Sequence, residues 1–437
     1  MISPEIFARY AAMRVPRYTS YPTAPNFSAA INQAEYRRWL RSLLVDEPVS
    51  IYLHIPFCRQ MCWYCGCHTS VTRRQAPVSR YVSTLIREIG LVASKIESRL
   101  TAGHLHWGGG SPTLLTAEDV ELIDAALREN FSLDIMAENA VEIDPRTLTP
   151  KLAAAFARAL INRASLGVQS FDPKVQGAIN REQSVETTAR AVRLLRKSGI
   201  QKINFDLVYG LPFQTIRSCL DTIEQALRLQ PDRFAVFGYA HVPSFKPHQR
   251  KIDEAALPGP SERHEQAQAI AWKLIDAGYR QVGLDHFALP GDGLASASKA
   301  GTLHRNFQGY TTDACRTLLG FGASAIGRLP QGSVQNATAI PDYERRIAAG
   351  DLATARGCLF SEEDQRRGAI IEALMCNFRV DVGGTDGRLS RLEDDGLIRR
   401  SGDIIEVVEE ARPLVRTVAA AFDAYLPDSG AMHAIAV

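Results

Sequence analysis

Four cysteines within ten residues constrain this chain more than any other feature. They follow the spacing Cys58-x₃-Cys62-x₂-Cys65-x-Cys67 and come directly after an apolar, strand-like run at residues 50–56. A disulfide framework would scatter its cysteines, and a structural zinc site usually takes two ligand pairs from separate knuckles. Three thiolates on one loop can instead hold three irons of a cubane cluster and leave the fourth iron open. Because an open iron can bind and reduce a ligand, the spacing predicts a catalytic [4Fe-4S] site at Cys58, Cys62 and Cys65.

These three cysteines match the motif of the radical S-adenosylmethionine (SAM) enzymes, which the chain resembles. The resemblance implies that the open iron binds the amino and carboxylate groups of SAM. It also implies that an electron from the cluster cleaves SAM to methionine and a 5′-deoxyadenosyl radical, which takes a hydrogen atom from the substrate. Spacing alone leaves two alternatives open, a zinc site on the crowded loop and a ferredoxin-like cluster with Cys67 as fourth ligand.

The composition is that of an ordinary globular protein of 437 residues. Hydrophobic residues make up 46% of the chain, which is ample for a sizeable core. The net charge of +2 implies no long-range attraction to nucleic acid or to an anionic membrane, so neither is expected as a partner. No apolar run approaches the roughly 18 residues that span a bilayer, and the N-terminus lacks a basic-then-apolar export signal. Together with the clustered thiols, these features predict a cytoplasmic protein.

Short β-branched or aromatic runs alternate with longer helical patterns through the first half of the chain. The predicted strands are 50–55, 104–107, 138–143, 163–169, 202–209 and 233–239, and the predicted helices are 81–100, 117–130, 149–159, 185–199 and 215–229. Such alternation is typical of parallel βα units, and no G-x-G-x-x-G follows the first strand. We therefore predict an α/β fold, a partial (β/α)6 barrel of the TIM type, whose working face is formed by the loops after the strands.

The barrel is expected to be one of four parts. An N-terminal arm (1–30) precedes the barrel (31–260), which is followed by a connecting segment (261–350) and a mainly helical, winged-helix-like C-terminal domain (351–437). A winged helix suggests DNA binding, but the last 77 residues hold nine arginines, no lysine and fifteen acidic residues. Their net charge of −6 repels phosphate, so we expect this domain to cap the barrel mouth instead.

Polar or glycine-rich stretches follow several predicted strands. The run Gly108–Ser111 lets a backbone lie edge-on to a ligand, although three glycines can also form only a tight turn. Glu142 is well placed for ribose hydroxyls, while we assign capping of the next helix to Asp144. A carboxylate inside an apolar strand is costly unless it is paired or bound, so we expect Asp206 to pair with a base such as Arg181 or to face a ligand.

Four further stretches carry a closer resemblance. They are Pro16–Thr23, Trp107–Thr113, Gly167–Asp172 and His304–Thr312. They resemble the oxygen-independent coproporphyrinogen III oxidases over residues 16 to 425. The last stretch is the most specific, because it lies outside the SAM-binding core.

The resemblance implies an oxidoreductase of haem biosynthesis. It would convert the ring A and B propionates of coproporphyrinogen III to vinyl groups, giving protoporphyrinogen IX without oxygen. The β-carbon C–H bond of a propionate has no acidic proton, so a radical rather than a base must start the reaction. Two propionates require two SAM molecules per turnover.

The same resemblance implies which residues bind the cofactors. Cys67 and Tyr52 are the catalytic candidates. In the family the cysteine that matches Cys67 is needed for activity without being a cluster ligand, while the simpler alternative is a small buried side chain. The first SAM site falls on Tyr52, Gly109, Glu142 and Ile326, with Phe307 and Gln308 on a SAM-contacting loop, and the proposed second site falls on Tyr64, Gly110, Ser111, Gln169, Arg181, Asp206 and Ala240.

The resemblance also bears on partners and on competing functions. It implies a monomer, a reductase or flavodoxin-type electron donor, and arm arginines that meet substrate carboxylates. A haem-binding chaperone of the same superfamily is the main alternative, but such proteins usually lack the tyrosine-rich arm and the 304–312 motif and carry an aromatic residue in place of Cys67. A radical SAM methyltransferase or haem-opening enzyme is a third possibility, which product analysis would distinguish.

Overall fold

A computed structural model describes residues 2–384 and 387–426 of the chain. Its strands are β1 Val49–Ile55, β2 Phe57–Cys58, β3 Ser70–Val71, β4 Thr101–Gly109, β5 Ser132–Leu133, β6 Asn139–Ile143, β7 Arg163–Gln169, β8 Lys202–Tyr209, β9 Arg233–Gly238, β10 Arg280–Val282, β11 His286–Ala288, β12 His304–Asn306, β13 Gly309–Thr311, β14 Thr317–Phe321, β15 Ile326–Leu329, β16 Gly332–Asn336, β17 Thr354–Leu359, β18 Arg379–Asp381, β19 Ile398–Ser401 and β20 Ile404–Val407.

Helices cover the outside of the sheet and form much of the C-terminal part. They are α1 Pro4–Ala11, α2 Gln33–Arg41, α3 Ala76–Ala93, α4 Ala117–Asn130, α5 Pro150–Arg158, α6 Pro173–Ala178, α7 Val185–Lys197, α8 Ile216–Leu227, α9 Pro260–Asp276, α10 Gly293–Ala300, α11 Ile340–Ala348, α12 Glu362–Asn377, α13 Gly387–Asp394 and α14 Val415–Ala420. No helix of the described residues is both long and apolar enough to cross a bilayer.

Six parallel strands form the barrel. β1, β4, β6, β7, β8 and β9 pair with one another in chain order. This arrangement confirms the predicted α/β fold with a partial (β/α)6 barrel. The second strand is longer than predicted, because Thr101 and Ala102 pair with β5 and Ala102 also pairs with β1. The helix predicted at 81–100 lies at 76–93, where Pro77 suits the first turn.

Two helices of the barrel, α5 and α7, begin at a residue whose side chain caps the helix. The Thr149 hydroxyl accepts a hydrogen bond from the N–H of Leu152 at 3.3 Å, and Ser184 caps α7 in the same way. Asp144 does not cap α5, contrary to expectation. Its carboxylate accepts a hydrogen bond from Arg146 Nη2 at 2.7 Å instead, because five residues separate it from the start of the helix.

The sheet extends beyond the barrel on both sides. β11 and then β10 continue it antiparallel beside β9, while β14 pairs parallel with β1 and is followed by β15, β16 and β17. The sheet therefore runs past the predicted domain boundary at residue 350. Side chains alternate along each barrel strand, so that Leu166 and Phe205 are fully buried against the helices while Ser165 and Asp206 face inward. The inner face of the barrel is consequently polar.

The N-terminal arm packs against the C-terminal part. Tyr10, Val15, Tyr18 and Tyr21 belong to the same apolar core as α12 and α14. The Tyr18 hydroxyl donates to Asp423 Oδ2 at 3.1 Å. Besides its helices this part contains a three-stranded antiparallel sheet in the order β18-β20-β19. Residues 385–386 and 427–437 of the predicted C-terminal domain lie outside the described residues.

Candidate active site

The cysteine loop between β1 and α3 is held on one side by the segment after α6. The short parallel pair of β2 and β3 closes the base of the loop. Trp63 N donates to the carbonyl of Ile179 at 2.9 Å, and Asn180 Nδ2 donates to the carbonyl of Met61 at 2.8 Å. Asn180 adopts a φ of 55°, a left-handed conformation that asparagine tolerates well. The loop therefore has a defined path between Cys58 and Cys65.

The other side of the loop is held by the segment after β9. His248 Nε2 hydrogen-bonds the carbonyl of Cys65 at 2.7 Å, and Lys246 Nζ donates to the carbonyl of Cys67 at 3.2 Å. Gln249 Nε2 donates to the carbonyls of both Tyr64 (3.0 Å) and Ala240 (3.2 Å). Gln249, which was not predicted as a site residue, thus joins Tyr64 and Ala240, two residues expected in one SAM site.

The three cysteine sulfurs meet different donors. Thr69 Oγ1 donates to Cys58 Sγ at 3.1 Å, and the N–H of Cys67 donates to Cys65 Sγ at 3.4 Å. The buried Cys62 has Arg181 Nη1 at 3.6 Å from its sulfur. Burial raises the pKa of the Cys58 thiol to about 11 against the lowering effect of the Thr69 hydrogen bond, whereas the hydrogen bond with Cys67 lowers the pKa of Cys65 to about 6. Three such sulfurs on one loop at the carboxyl end of the barrel fit an iron–sulfur cluster with one open iron.

Glu142 faces the barrel interior from β6. Its Oε2 accepts the N–H of Gly109 at 3.1 Å, and its Oε1 lies 3.2 Å from His106 Nε2. A Cβ atom at Gly108 would lie 2.6 Å from Oε1, so the close approach of this carboxylate requires a glycine there. The glycine run is therefore an edge that packs closely against Glu142 and not only a turn.

The second half of the glycine run packs on the cysteine loop. A Cβ atom at Gly110 would lie 2.5 Å from Thr69 Oγ1 and 2.8 Å from the backbone nitrogen of Phe57. The buried Ser111 has its hydroxyl 2.7 Å from that of Thr113. The run thus touches both the cysteine loop and Glu142.

Tyr52 lies at the centre of β1, beside both neighbouring strands. Its ring stacks on His106 at a centroid distance of 5.9 Å, and its hydroxyl donates to His54 Nδ1 at 3.0 Å. Across the sheet Tyr52 pairs with Gly320, where a Cβ atom would lie 2.5 Å from the carbonyl oxygen of Ile326. The structure therefore places Tyr52 and Ile326, which are far apart in the sequence, on either side of Gly320 in the sheet.

Asp206 faces the barrel interior without a basic partner. Ser165 Oγ is 2.9 Å from both of its carboxylate oxygens, and Asn204 Nδ2 donates to Oδ1 at 2.9 Å. Burial raises the pKa of Asp206 to about 7, with the negative charge of Glu142 contributing to the shift. Such a carboxylate is poorly compensated by the protein and is available to a ligand.

Of the two expectations for Asp206, pairing with a base such as Arg181 is not met. Arg181 Nη2 donates instead to the carbonyl of Gly167 at 2.6 Å and lies 3.8 Å from Asp144 Oδ1. Arg181 follows α6 and reaches only the end of β7, where a Cβ atom at Gly167 would lie 3.0 Å from Gln169 Nε2. Arg181 and Gln169 are thus adjacent, between the cysteine loop and the strand ends.

A cavity of about 180 Å³ lies inside the barrel. Glu142, Asp206 and Gln308 line it, and Gln308 belongs to the tip of the β12–β13 hairpin together with the partly buried Phe307. The hairpin therefore closes the open side of the barrel over the predicted SAM-binding carboxylates.

Several neighbours of the predicted site residues were not selected from the sequence. They share positions on the inner face of the strands or in the segments that hold the cysteine loop, and they are His54, His106, Ser165, Asn204, Lys246, His248 and Gln249. A signal existed for those on strands. His54 and His106 each lie two residues from a predicted site or glycine position, which is the period of one strand face.

Comparison with known proteins identifies the family of the chain. Residues 52–226 match the family model of the radical SAM superfamily. The chain is 52% identical to the oxygen-independent coproporphyrinogen III oxidase of Bradyrhizobium diazoefficiens, over 99% of both chains, and 43% identical to that of Paracoccus denitrificans, over 94% of both. The solved structure of coproporphyrinogen III oxidase from Escherichia coli, described as a radical SAM enzyme, superposes with a TM-score of 0.89 at 36% identity, covering 95% of this chain and all of the other.

Proposed function

This chain belongs to the oxygen-independent coproporphyrinogen III oxidases of the radical SAM superfamily, and from that membership we infer its reaction and propose which residues carry it. The protein is an oxidoreductase of haem biosynthesis. It converts the ring A and B propionates of coproporphyrinogen III to vinyl groups with loss of two CO₂, giving protoporphyrinogen IX. The observation that carries this conclusion is the 52% identity over 99% of the chain.

The cofactors are a [4Fe-4S] cluster and SAM, two molecules per turnover. When bound, the cluster supplies the electron that cleaves SAM to methionine and the 5′-deoxyadenosyl radical, which takes a hydrogen atom from the substrate. We propose Cys58, Cys62 and Cys65 as the cluster ligands. The hydrogen-bond donors at all three sulfurs support this assignment.

We propose that the first SAM lies along the inner edge of the glycine run. Glu142 is held there by Gly109 and His106 and presents its carboxylate to the interior, where it would accept hydrogen bonds from ribose hydroxyls or the methionyl amine. Tyr52 and Ile326 border the same space from the other side. Phe307 and Gln308 would close the site by excluding water.

A second group would serve the second SAM. Arg181 Nη2 lies 3.8 Å from Asp144 Oδ1, which is too long for a hydrogen bond. Arg181 can therefore pair with a SAM carboxylate. Asp206 can accept hydrogen bonds from a SAM amine. The remaining proposed members are Tyr64, Gly110, Ser111, Gln169 and Ala240, of which Tyr64 and Ala240 are joined through Gln249.

Cys67 is proposed as a catalytic residue rather than a ligand. Its side chain is exposed, and its N–H already donates to the sulfur of Cys65. A free thiol beside the cluster could pass a hydrogen atom or an electron to the substrate.

We also propose where the protein works, its partners and its division into domains. All eight cysteines lie in the described part of the chain and are free, which supports a reducing cytoplasm. We propose a monomer, a reductase or flavodoxin-type electron donor, and no nucleic acid or membrane partner. The arm (1–30), barrel, connecting segment and C-terminal domain remain our proposed parts, with the last boundary moved to about residue 360, after β17.

An anaerobic assay tests the function. The reconstituted protein is given SAM, a reductant and coproporphyrinogen III, and the products are followed by mass spectrometry. We expect loss of two CO₂ with two 5′-deoxyadenosines per product, and Cys62→Ser should form neither. SAM cleavage without decarboxylation, together with tight haem binding, would refute the oxidase and favour the chaperone.

A further inference from the structure

A second and larger cavity lies outside the barrel, against the C-terminal part. Its volume is about 390 Å³, within the range of small-molecule sites. Its walls are the end of β9, helix α9, the turn between β10 and β11, and the 3₁₀ helix Glu409–Leu414. We call it the arginine cleft, after the side chains at its base: Arg17, Arg263, Arg305 and Arg416.

Arg263 and Arg305, at the base of the arginine cleft, form no ion pair with a carboxylate of the described residues. Asp285 is the one acidic side chain there among the described residues, and its Oδ1 is already 2.7 Å from His286 Nδ1. The acidic Glu409 and Glu410 are exposed at the rim, where water screens them.

Two of these arginines are buried without full hydrogen bonding. Arg263 and Arg305 are each only 8% exposed. In the described part of the chain, the Nε of Arg263 and both the Nε and Nη1 of Arg305 lack any hydrogen-bond partner. Arg305 instead lies over the ring of Tyr310 at 4.4 Å, and Arg263 lies 5.9 Å from that of Tyr209. These nitrogens are enclosed by the protein, so burying the guanidinium groups in this state is costly, and the charge of an anion bound beside them would offset that cost.

The pKa values of Arg17, Arg263 and Arg416 are lowered, whereas that of Arg305 is raised despite its burial, through Tyr310 and Asp285. Burial lowers the pKa of Arg416 to about 9, with the charge of Arg17 contributing to the shift. Burial also lowers the pKa of Arg263. Each arginine would be stabilised by a bound carboxylate.

Apolar side chains cover the remaining wall of the arginine cleft. Trp272 and Ile275 project from α9 with 69% and 48% of their surfaces exposed, opposite Leu284. Phe237 lines both the arginine cleft and the barrel cavity, and the cleft also reaches Ala240, in the proposed SAM site. The cleft therefore combines a carboxylate-binding base, an apolar wall and contact with the cofactor region.

We propose that the arginine cleft binds the porphyrinogen substrate, with Arg263 and Arg305 holding propionate carboxylates while the apolar wall contacts the macrocycle. This inference rests on the proposed function and assigns a location to its substrate. Arg17 joins the base from the N-terminal arm through its hydrogen bond to the carbonyl of Gly238 at 2.9 Å. Carboxylates held here would leave the reacting propionates free to reach the barrel mouth.

Equilibrium binding tests the proposal independently of turnover. Coproporphyrin III, the fluorescent oxidised tetracarboxylate, and its tetramethyl ester are titrated anaerobically into the reconstituted full chain. We expect Arg263→Gln and Arg305→Gln each to weaken coproporphyrin III binding about 10- to 100-fold, the loss expected for a hydrogen bond to a charged group. The ester should bind all variants alike, and Arg263→Lys should recover part of the affinity. The matched control is Arg217→Gln on α8, whose side chain is 92% exposed.

Two results would overturn the proposal. One is unchanged coproporphyrin III binding in both variants, and the other is weakened SAM binding with porphyrin binding intact, which would assign the arginine cleft to the SAM carboxylate. If Arg263→Gln fails to fold, as judged by thermal unfolding and cluster absorbance, the solvent-accessible Arg17→Gln gives the same test. A wild-type enzyme that binds coproporphyrin III through these arginines but does not decarboxylate coproporphyrinogen III would refute the proposed function alone.

Discussion

Replacing Asp206 by asparagine should make the protein more stable at alkaline pH while weakening SAM binding. Burial raises the pKa of Asp206 from its usual 3.8 to about 7, so the folded protein binds this proton more tightly than the unfolded chain does. The free energy of unfolding therefore falls as the pH rises from about 4 to 7, and a pKa difference of about 3 corresponds to at most about 4 kcal/mol. Asp206 borders a cavity, and asparagine fits the hydrogen bonds of the aspartate imperfectly, so only part of this free energy is recovered. We expect Asp206→Asn to raise the free energy of unfolding by about 2 kcal/mol at pH 8 and by almost nothing at pH 5.

Urea unfolding of the anaerobic, reconstituted protein at both pH values measures this gain, and SAM titration measures the accompanying loss of affinity, about tenfold. Asp292→Asn is the matched control. Asp292 accepts hydrogen bonds from Arg163 at 2.7 Å and Arg233 at 2.6 Å, so its loss should cost about 3–5 kcal/mol at both pH values. Equal destabilisation by Asp206→Asn at pH 5 and pH 8 would contradict the reasoning and make Asp206 a structural hydrogen-bond acceptor.

Three further outcomes are expected. Gly110→Ala should prevent stable cluster incorporation, because the new Cβ atom would lie 2.8 Å from the backbone nitrogen of Phe57. Iron content and absorbance measure this, and a full iron complement would show that the cysteine loop adapts. Cys67→Ser should keep the cluster and lose decarboxylation, whereas Cys62→Ser should lose both, and cluster loss in Cys67→Ser would make Cys67 a ligand. Tyr18→Phe should lower the free energy of unfolding by about 1 kcal/mol, because it removes one buried hydrogen bond, while leaving SAM cleavage unchanged.

The barrel could be predicted because each strand has a local signal. Strands such as 163–169 and 202–209 alternate buried and inward-facing residues between helices, and the structure reproduces those bounds. The sheet beyond the barrel has no such signal. β10 and β11 are three residues long, and β14 pairs with β1 across more than 260 residues. Pairing at that separation depends on the assembled fold and not on local propensity.

Some residues of the site likewise have a local sequence signal, and others do not. Spacing alone selects Cys58, Cys62 and Cys65 as proposed cluster ligands, because one loop carries all three. The expected pairing of Arg181 with Asp206 is not observed. The length of α6 and the register of β7 with β8 determine which residues Arg181 can reach, and neither is visible in the local sequence. The arginine cleft has no sequence signal, since its arginines come from the arm, α9, β12 and the C-terminal part and meet only in the folded chain.

The distribution of charge between the two cavities explains how one protein can hold ligands of opposite character side by side. Inside the barrel, Arg163 and Arg233 are neutralised by Glu138 and Asp292, which leaves the inward carboxylates to favour the sulfonium and amine of SAM. The arginine cleft carries the opposite excess and favours a tetracarboxylate. Phe237 lies between them, so a porphyrinogen attracted to the arginines is discouraged from entering the SAM cavity yet stays in contact with its edge. On this argument, reversing the charge of Arg263 with glutamate should impair substrate binding far more than SAM binding, whereas Glu142→Gln should do the reverse.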